Sequence, residues 1–154
     1  DHDNTIIKNW NKIVQPEDDV YLLGDVMLND NDYGLSCLKQ LKGQIHIIRG
    51  NHCTNSRIEL YKTCPNVVEV CDAKWLKIGK QSFFLSHYPC LTDNYDDDKP
   101  LSRKIISLCG HVHTPDKWHD WNNGLIYHVE MDAHGCQVVN IEQIISDVKE
   151  KINE

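Results

Sequence analysis

Apolar and polar residues follow one another along this chain in two rhythms, one helical and one of short buried runs. Ile6, Ile7, Trp10, Ile13 and Val14 recur at helical spacing, which predicts an amphipathic opening helix. Asp3 or Asn4 can cap it, and Pro16 ends it. The run Val20, Tyr21, Leu22, Leu23 then reads as a buried strand closed by Gly24-Asp25. Leu35, Leu38 and Leu41 mark a short helix stopped at Gly43, and a strand over 45–48 runs into Arg49-Gly50-Asn51-His52. A helix around 58–61 stops before Pro65. Strands are predicted over 67–70, 75–78 and 82–85, the last running into Ser86-His87-Tyr88-Pro89. A polar loop carries Asp93, Asp96, Asp97 and Asp98. A strand over 105–109 runs into Gly110-His111-Val112-His113, and two more are expected over 125–131 and 137–141. Ile144, Ile145, Val148 and Ile152 give the closing helix one apolar side, with Asn140 as its candidate cap. Helices and strands alternate early and strands dominate late, which predicts a layered α/β domain of packed sheets and outer helices.

The 154 residues suit a single domain, and no linker or repeat divides them. With 40% hydrophobic residues and no low-complexity run, a folded chain is expected and disorder is not. No run approaches the length of a membrane span, and no secretory signal opens the chain, so no membrane partner is expected. The net charge of -7 disfavours a nucleic-acid partner bound through a basic face. It leaves phosphate chemistry open if cations supply the positive charge locally. The seven cysteines are odd in number and form no C-x-x-C pair, which argues against a disulfide framework or zinc ribbon. Reduced thiols in a cytoplasmic protein are the plain expectation.

Four strand endings carry metal-ligand chemistry: Gly24-Asp25, Gly50-Asn51-His52, Ser86-His87 and Gly110-His111-Val112-His113. Ligands of α/β sheets bind beyond the carboxyl ends of the strands, so adjacent strands would bring these residues together. A carboxylate can bridge two cations, while an amide oxygen and imidazoles suit Mn, Fe, Ni or Zn. Each signal has a bland counterpart: Gly-Asp is a common turn, and His-x-His on a strand can lie at the surface. Trp118, His119, Asp120 and Trp121 suit a surface loop more than a pocket. His46, His128 and His134 suit packing. Arg49 and Arg57 flank the Asn-His motif and fit either a phosphate or an ordinary salt bridge.

Taken jointly, these motifs resemble the calcineurin-like metallophosphoesterases, closest to the small bacterial and phage enzymes, over residues 4 to about 145. The resemblance implies a four-layer αββα sandwich with a site for two divalent metal ions. It implies that Asp25 bridges the metals, that Asn51, His87 and His111 complete one site, and that His113 belongs to the other. His52 would contact the phosphate or protonate the leaving oxygen. The reaction implied is hydrolysis of a small phosphomonoester or phosphodiester by a metal-bound hydroxide.

Two departures qualify the resemblance. The family's Asp-x-His motif, which ends its first strand, is absent; Asp1-His2-Asp3 has another order and opens a helix. The expectation is therefore an N-terminally incomplete chain lacking that strand and roughly two dozen residues. Cys53 also stands where the family places an acidic residue that would orient the histidine. Both departures motivate a competing expectation, a binding scaffold of the same fold with impaired catalysis.

Overall fold

In a computed structural model, residues 2–25, 30–92, 99–112, 114–119, 125–135 and 137–152 are described. The opening helix α1 (His2–Ile13) leads into strand β1 (Asp19–Leu22). Helix α2 (Asn31–Lys39), strand β2 (Gln44–Ile48), helix α3 (Asn55–Lys62) and strand β3 (Val67–Cys71) follow. Strands β4 (Lys74–Ile78), β5 (Gln81–Leu85), β6 (Ile105–Cys109) and β7 (Ile126–His128) precede the closing helix α4 (Ile141–Ile152). Two sheets result, a parallel one in the order β1-β2-β3 and a mixed one in the order β4-β5-β6-β7. The four helices flank them, in agreement with the expected α/β sandwich.

The first sheet is parallel because helices α2 and α3 carry the chain back between its strands. Each helix starts on a side-chain cap. Asp30 accepts from the Tyr33 amide at 3.1 Å, and Thr54 accepts from the Arg57 amide at 3.3 Å. Helix α1 is pinned where the sequence placed its apolar stripe. The buried Trp10 donates its indole N–H to the Lys42 carbonyl at 2.8 Å. Asn11 beside it gives and takes a hydrogen bond at Gln40 and Lys42, both at 2.9 Å. Gly43 follows Lys42 at φ 103°, and a Cβ there would meet Val14 at 2.9 Å.

Two apolar clusters organise the interior. One joins Trp10, Val14, Leu38, Ile45, Ile47 and Tyr61 beneath the first sheet's helices. The other joins Phe83, Leu85, Ile106, Leu108 and Tyr127 of the second sheet to Ile144 and Val148 of α4. Leu23 and Ile48, at the carboxyl ends of β1 and β2, belong to this second cluster. Burial of those two residues therefore presses the strand ends of one sheet against the other. The outer edge of β1 has no strand partner among the described residues. A cleft of about 1200 Å³ runs beside it, lined in part by Leu22, Leu76, Ile78 and Leu85.

Four sequence expectations are corrected. Residues 137–140 form no strand; Val138 packs partly against one cluster and Val139 against the other. Their alternation serves two cores without a ladder partner. The last strand spans only Ile126–His128, and α1 already begins at His2, so Asp3 and Asn4 lie within its first turn. The cap at the other end stands: Asn140 Oδ1 accepts from the Gln143 amide at 2.7 Å. His46 is not merely packed. It is stacked on Tyr21 at 4.4 Å and lies between Glu69 and Asp19, with contacts of 2.7 and 2.9 Å.

A polar clasp ties β7 to α4. The fully buried Tyr127 donates its phenol to Asp147 at 2.6 Å, and Lys117 and Gln143 reach the same carboxylate at 3.3 and 2.8 Å. Burial pushes the Asp147 carboxyl up, but these three donors outweigh it and hold it below its ordinary value of 3.8. The folded state thus favours the ionised carboxylate. That contribution is complete above the ordinary value and is lost as pH falls through the lowered one. Tyr127→Phe should cost about 1.5–3 kcal/mol, as loss of a hydrogen bond to a charged group does. Urea denaturation checks it, and the deficit should shrink in acid as Asp147 is protonated; a deficit independent of pH would refute the assignment.

Candidate metal centre

Leu23 follows the last residue of β1, and His87 follows Ser86 at the end of β5. The buried His87 ring spans the gap between the two sheets, with Nδ1 2.7 Å from the Leu23 carbonyl oxygen. A carbonyl can only accept, so Nδ1 carries the proton and Nε2 of the neutral ring presents its lone pair. Around that lone pair stand three more electron-rich atoms. Asn51 Oδ1 lies 2.9 Å away, His111 Nδ1 3.0 Å and Asp25 Oδ2 3.2 Å. Asp25, His87 and His111 each point one ligand atom into a space less than 4.8 Å across. Asn51 adds its amide oxygen. Four atoms that mostly accept, converging with few protons among them, fit the donor set of a divalent cation. The Leu23 carbonyl then supplies the outer hydrogen bond that orients a ligating imidazole.

The backbone is bent to achieve this. Asp25 has φ 51° and His111 φ 70°, both in the left-handed region that non-glycine residues avoid. Such strain persists where the surroundings over-determine it, and it clusters at functional sites. Glycines make room. A Cβ on Gly50 would lie 2.5 Å from Asp25 Oδ1 and 2.7 Å from its amide nitrogen. A Cβ on Gly24, itself at φ 93°, would collide with the His87 ring and with Gly50. Asp25 is further fixed by the His52 amide, which donates to its Oδ1 at 2.8 Å.

The structure therefore gathers Asp25, Asn51, His87 and His111. His52 follows Asn51 directly, and its side chain is exposed. His113 lies outside the described residues, as do Asp93, Asp96, Asp97, Asp98, Asp120 and Trp121. Cys53 is buried in the first core cluster, where the Tyr61 phenol donates to its sulfur at 3.6 Å. It packs, and it neither orients His52 nor offers a nucleophile. The two flanking arginines part ways. Arg57 is committed, its guanidinium donating to Asn31 Oδ1 at 3.0 Å and to the His52 carbonyl at 2.8 Å. Arg49 makes no side-chain hydrogen bond or ion pair among the described residues.

Sequence reasoning passed over two neighbours. Tyr88 sets its ring edge-on to His87 at 5.0 Å and tilted over His111 at 4.9 Å. Glu130 accepts from the Thr114 amide at 3.4 Å and lies 3.0 Å from Nδ1 of the buried His128. His128 in turn meets His119 at 3.1 Å. Burial pushes the Glu130 carboxyl up, yet the His128 contact and backbone donors hold it net below the usual range. The cluster ties β7 to the loop that follows His111. A histidine two residues before a glutamate on a strand was the available signal. Cys109 beside it is driven up to about 12 by burial, so its thiol stays neutral.

The glycine geometry makes a direct prediction. Gly50→Ala should displace Asp25 and weaken Mn²⁺ binding by roughly 10–100-fold, the usual effect of disturbing a ligand's support. Equilibrium dialysis with far-UV circular dichroism as a fold control checks this. An unchanged affinity would mean Asp25 does not belong to the cation site.

Comparison with known proteins bears on the family and the fold. The chain is 26% identical to the Gene 66 protein of Mycobacterium phage L5, over all of this chain and 84% of that protein. A 50-residue segment is 48% identical to an uncharacterized protein of Methanocaldococcus jannaschii, covering 31% of this chain and only 28% of the relative. A protein of unknown function from Aquifex aeolicus shares the fold, with a TM-score of 0.67 at 23% identity over 94% of this chain and 84% of that one. Residues 2–141 match the family model of the calcineurin-like phosphoesterase superfamily domain, and the chain belongs to that superfamily.

Proposed function

We propose that this chain hydrolyses a small phosphomonoester or phosphodiester with the help of divalent cations, one of them held by Asp25, Asn51, His87 and His111. The observation that carries the reading is the convergence of Asn51, His111 and Asp25 on His87 Nε2, within 2.9–3.2 Å. Mn, Fe, Ni or Zn would match a set of imidazole, amide and carboxylate donors without sulfur. Family membership supports a second cation, which Asp25 and His113 would help to hold. Bound there, such cations supply charge neutralisation at the phosphoryl oxygens and a nucleophile at neutral pH.

The chain's own residues contribute the rest. Asp25 is oriented by the His52 amide, and His87 by the Leu23 carbonyl, so neither ligand must reorganise when the site is loaded. His52 is exposed and follows Asn51 directly, and its imidazole is the chain's candidate to give a proton to the departing oxygen. With Cys53 turned into the core, no following carboxylate steers that ring. The Arg57 contact to the His52 carbonyl holds the backbone from which it projects.

The full chain loaded with Mn²⁺ should hydrolyse 4-nitrophenyl phosphate or bis(4-nitrophenyl) phosphate, and His87→Ala should abolish both metal binding and turnover. His52→Ala should lower kcat by roughly 10²–10⁴-fold, the range of a lost general acid, while metal content stays constant. Metal bound without turnover of any phosphoester would reject the enzyme and leave a binding scaffold. Unchanged kcat in the His52 variant would remove its proton-donor role.

A further inference from the structure

An open cleft of about 620 Å³ adjoins the cation site through Asn51. Its walls include Arg49, Thr54, Asp72 and Tyr88. Substrate pockets commonly enclose about 300–1,000 Å³, far more than a phosphate group needs. The cleft can therefore receive the organic part of a phosphoester whose phosphorus lies at the cations.

Two of its side chains are unusual for a protein surface. Tyr88 is 46% exposed although its ring rests against both His87 and His111. Those contacts fix the ring and leave the remainder open toward the cleft. A rigid exposed aromatic is a stacking surface with little ordering entropy still to lose. Arg49 is half-buried, and its guanidinium has no carboxylate or carbonyl partner among the described residues. A partly desolvated guanidinium without a partner is costly, and an anion entering the cleft would recover that cost through charge-assisted hydrogen bonds. Asp72 shares the cleft, but it is exposed, so solvent and salt screen its repulsion more than they screen the attraction of the half-buried Arg49. Arg57 shows the contrast, since its guanidinium is taken up by Asn31 and the His52 carbonyl within the fold.

We propose that this cleft is the leaving-group subsite, and that Tyr88 and Arg49 select a phosphoester of an aromatic alcohol bearing its own negative charge. The ring lies on Tyr88, and the charge pairs with Arg49. The label of leaving group rests on the phosphoesterase reading; the binding preference does not.

Calorimetric titration of the Mn²⁺-loaded full chain with ethylphosphonate, phenylphosphonate and 4-carboxyphenylphosphonate tests the two contacts separately. The wild type should bind the three with rising affinity in that order. Arg49→Met should weaken the carboxylated ligand about tenfold, as the loss of one charge-assisted contact does, and leave phenylphosphonate within about twofold. Arg49→Lys should restore part of the loss. Tyr88→Leu should bring phenylphosphonate down to ethylphosphonate. Equal weakening of all three ligands by Arg49→Met would mean that Arg49 meets the phosphoryl group itself, and would overturn the proposal. Three equal affinities in the wild type, or no binding of any, would overturn it as well. A chain that shows the predicted preferences yet hydrolyses no phosphoester defeats the enzyme reading, and the leaving-group label with it. A chain that turns over phosphoesters but binds the three phosphonates alike defeats the subsite alone.

Discussion

The bond from His87 Nδ1 to the Leu23 carbonyl is the constraint on which the centre depends. It joins the end of a strand in one sheet to the end of a strand in the other, 64 positions apart in sequence. Burial of Leu23 and Ile48 against the second sheet's core brings the two ends together. The bond then fixes the proton on one ring nitrogen and aims the other at Asp25, Asn51 and His111. Hydrophobic packing supplies the force, about 25 cal/mol for each Å² of apolar surface removed from water, but it is indifferent to direction. The hydrogen bond gives that packing a chemical outcome, since only one tautomer satisfies the carbonyl.

The cost of the arrangement is carried by the backbone. Asp25 and His111 hold positive φ angles, and Gly24 and Gly50 stand where any side chain would enter the space their neighbours need. Strain of about 1–3 kcal/mol for each such residue is tolerable because the neighbouring strands are anchored by fully buried side chains. Ile45, Ile47, Ile48, Phe83 and Ile106 have no exposed surface at all. The rigid parts of the molecule thus lie directly behind its strained ones.

Much of this was legible in the sequence because each ligand follows a short apolar run closed by a turn. Buried parallel strands read as continuous apolar runs, and the residues after them share one end of the sheet. Asp25, Asn51, His87 and His111 could therefore be grouped without coordinates. Contacts that depend on register could not. The register sets His46 beside Tyr21 and Glu69, and Asp19, two residues before Tyr21 on the same strand, reaches its ring from the diagonal position. The segment at 137–140 misled for a related reason: Val138 and Val139 alternate because two separate cores claim them. Periodicity records which side is apolar, and it is silent about whether a ladder partner exists. The two arginines were ambiguous for the same reason, since only packing distinguishes a guanidinium with internal partners from one without.

The pair His52 and Cys53 shows how one motif divides between stability and chemistry. Successive residues in the turn before α3 project in different directions, so one can enter the core while its neighbour remains in solvent. Cys53 takes the inward position and contacts Tyr61, which anchors the turn from within. His52 takes the outward position, and its amide steadies Asp25 while its ring stays at the surface. A carboxylate at position 53 would face the apolar surroundings that the thiol now fills, and burying it unpaired would cost far more than burying cysteine. The local fold therefore accounts for the residue found there.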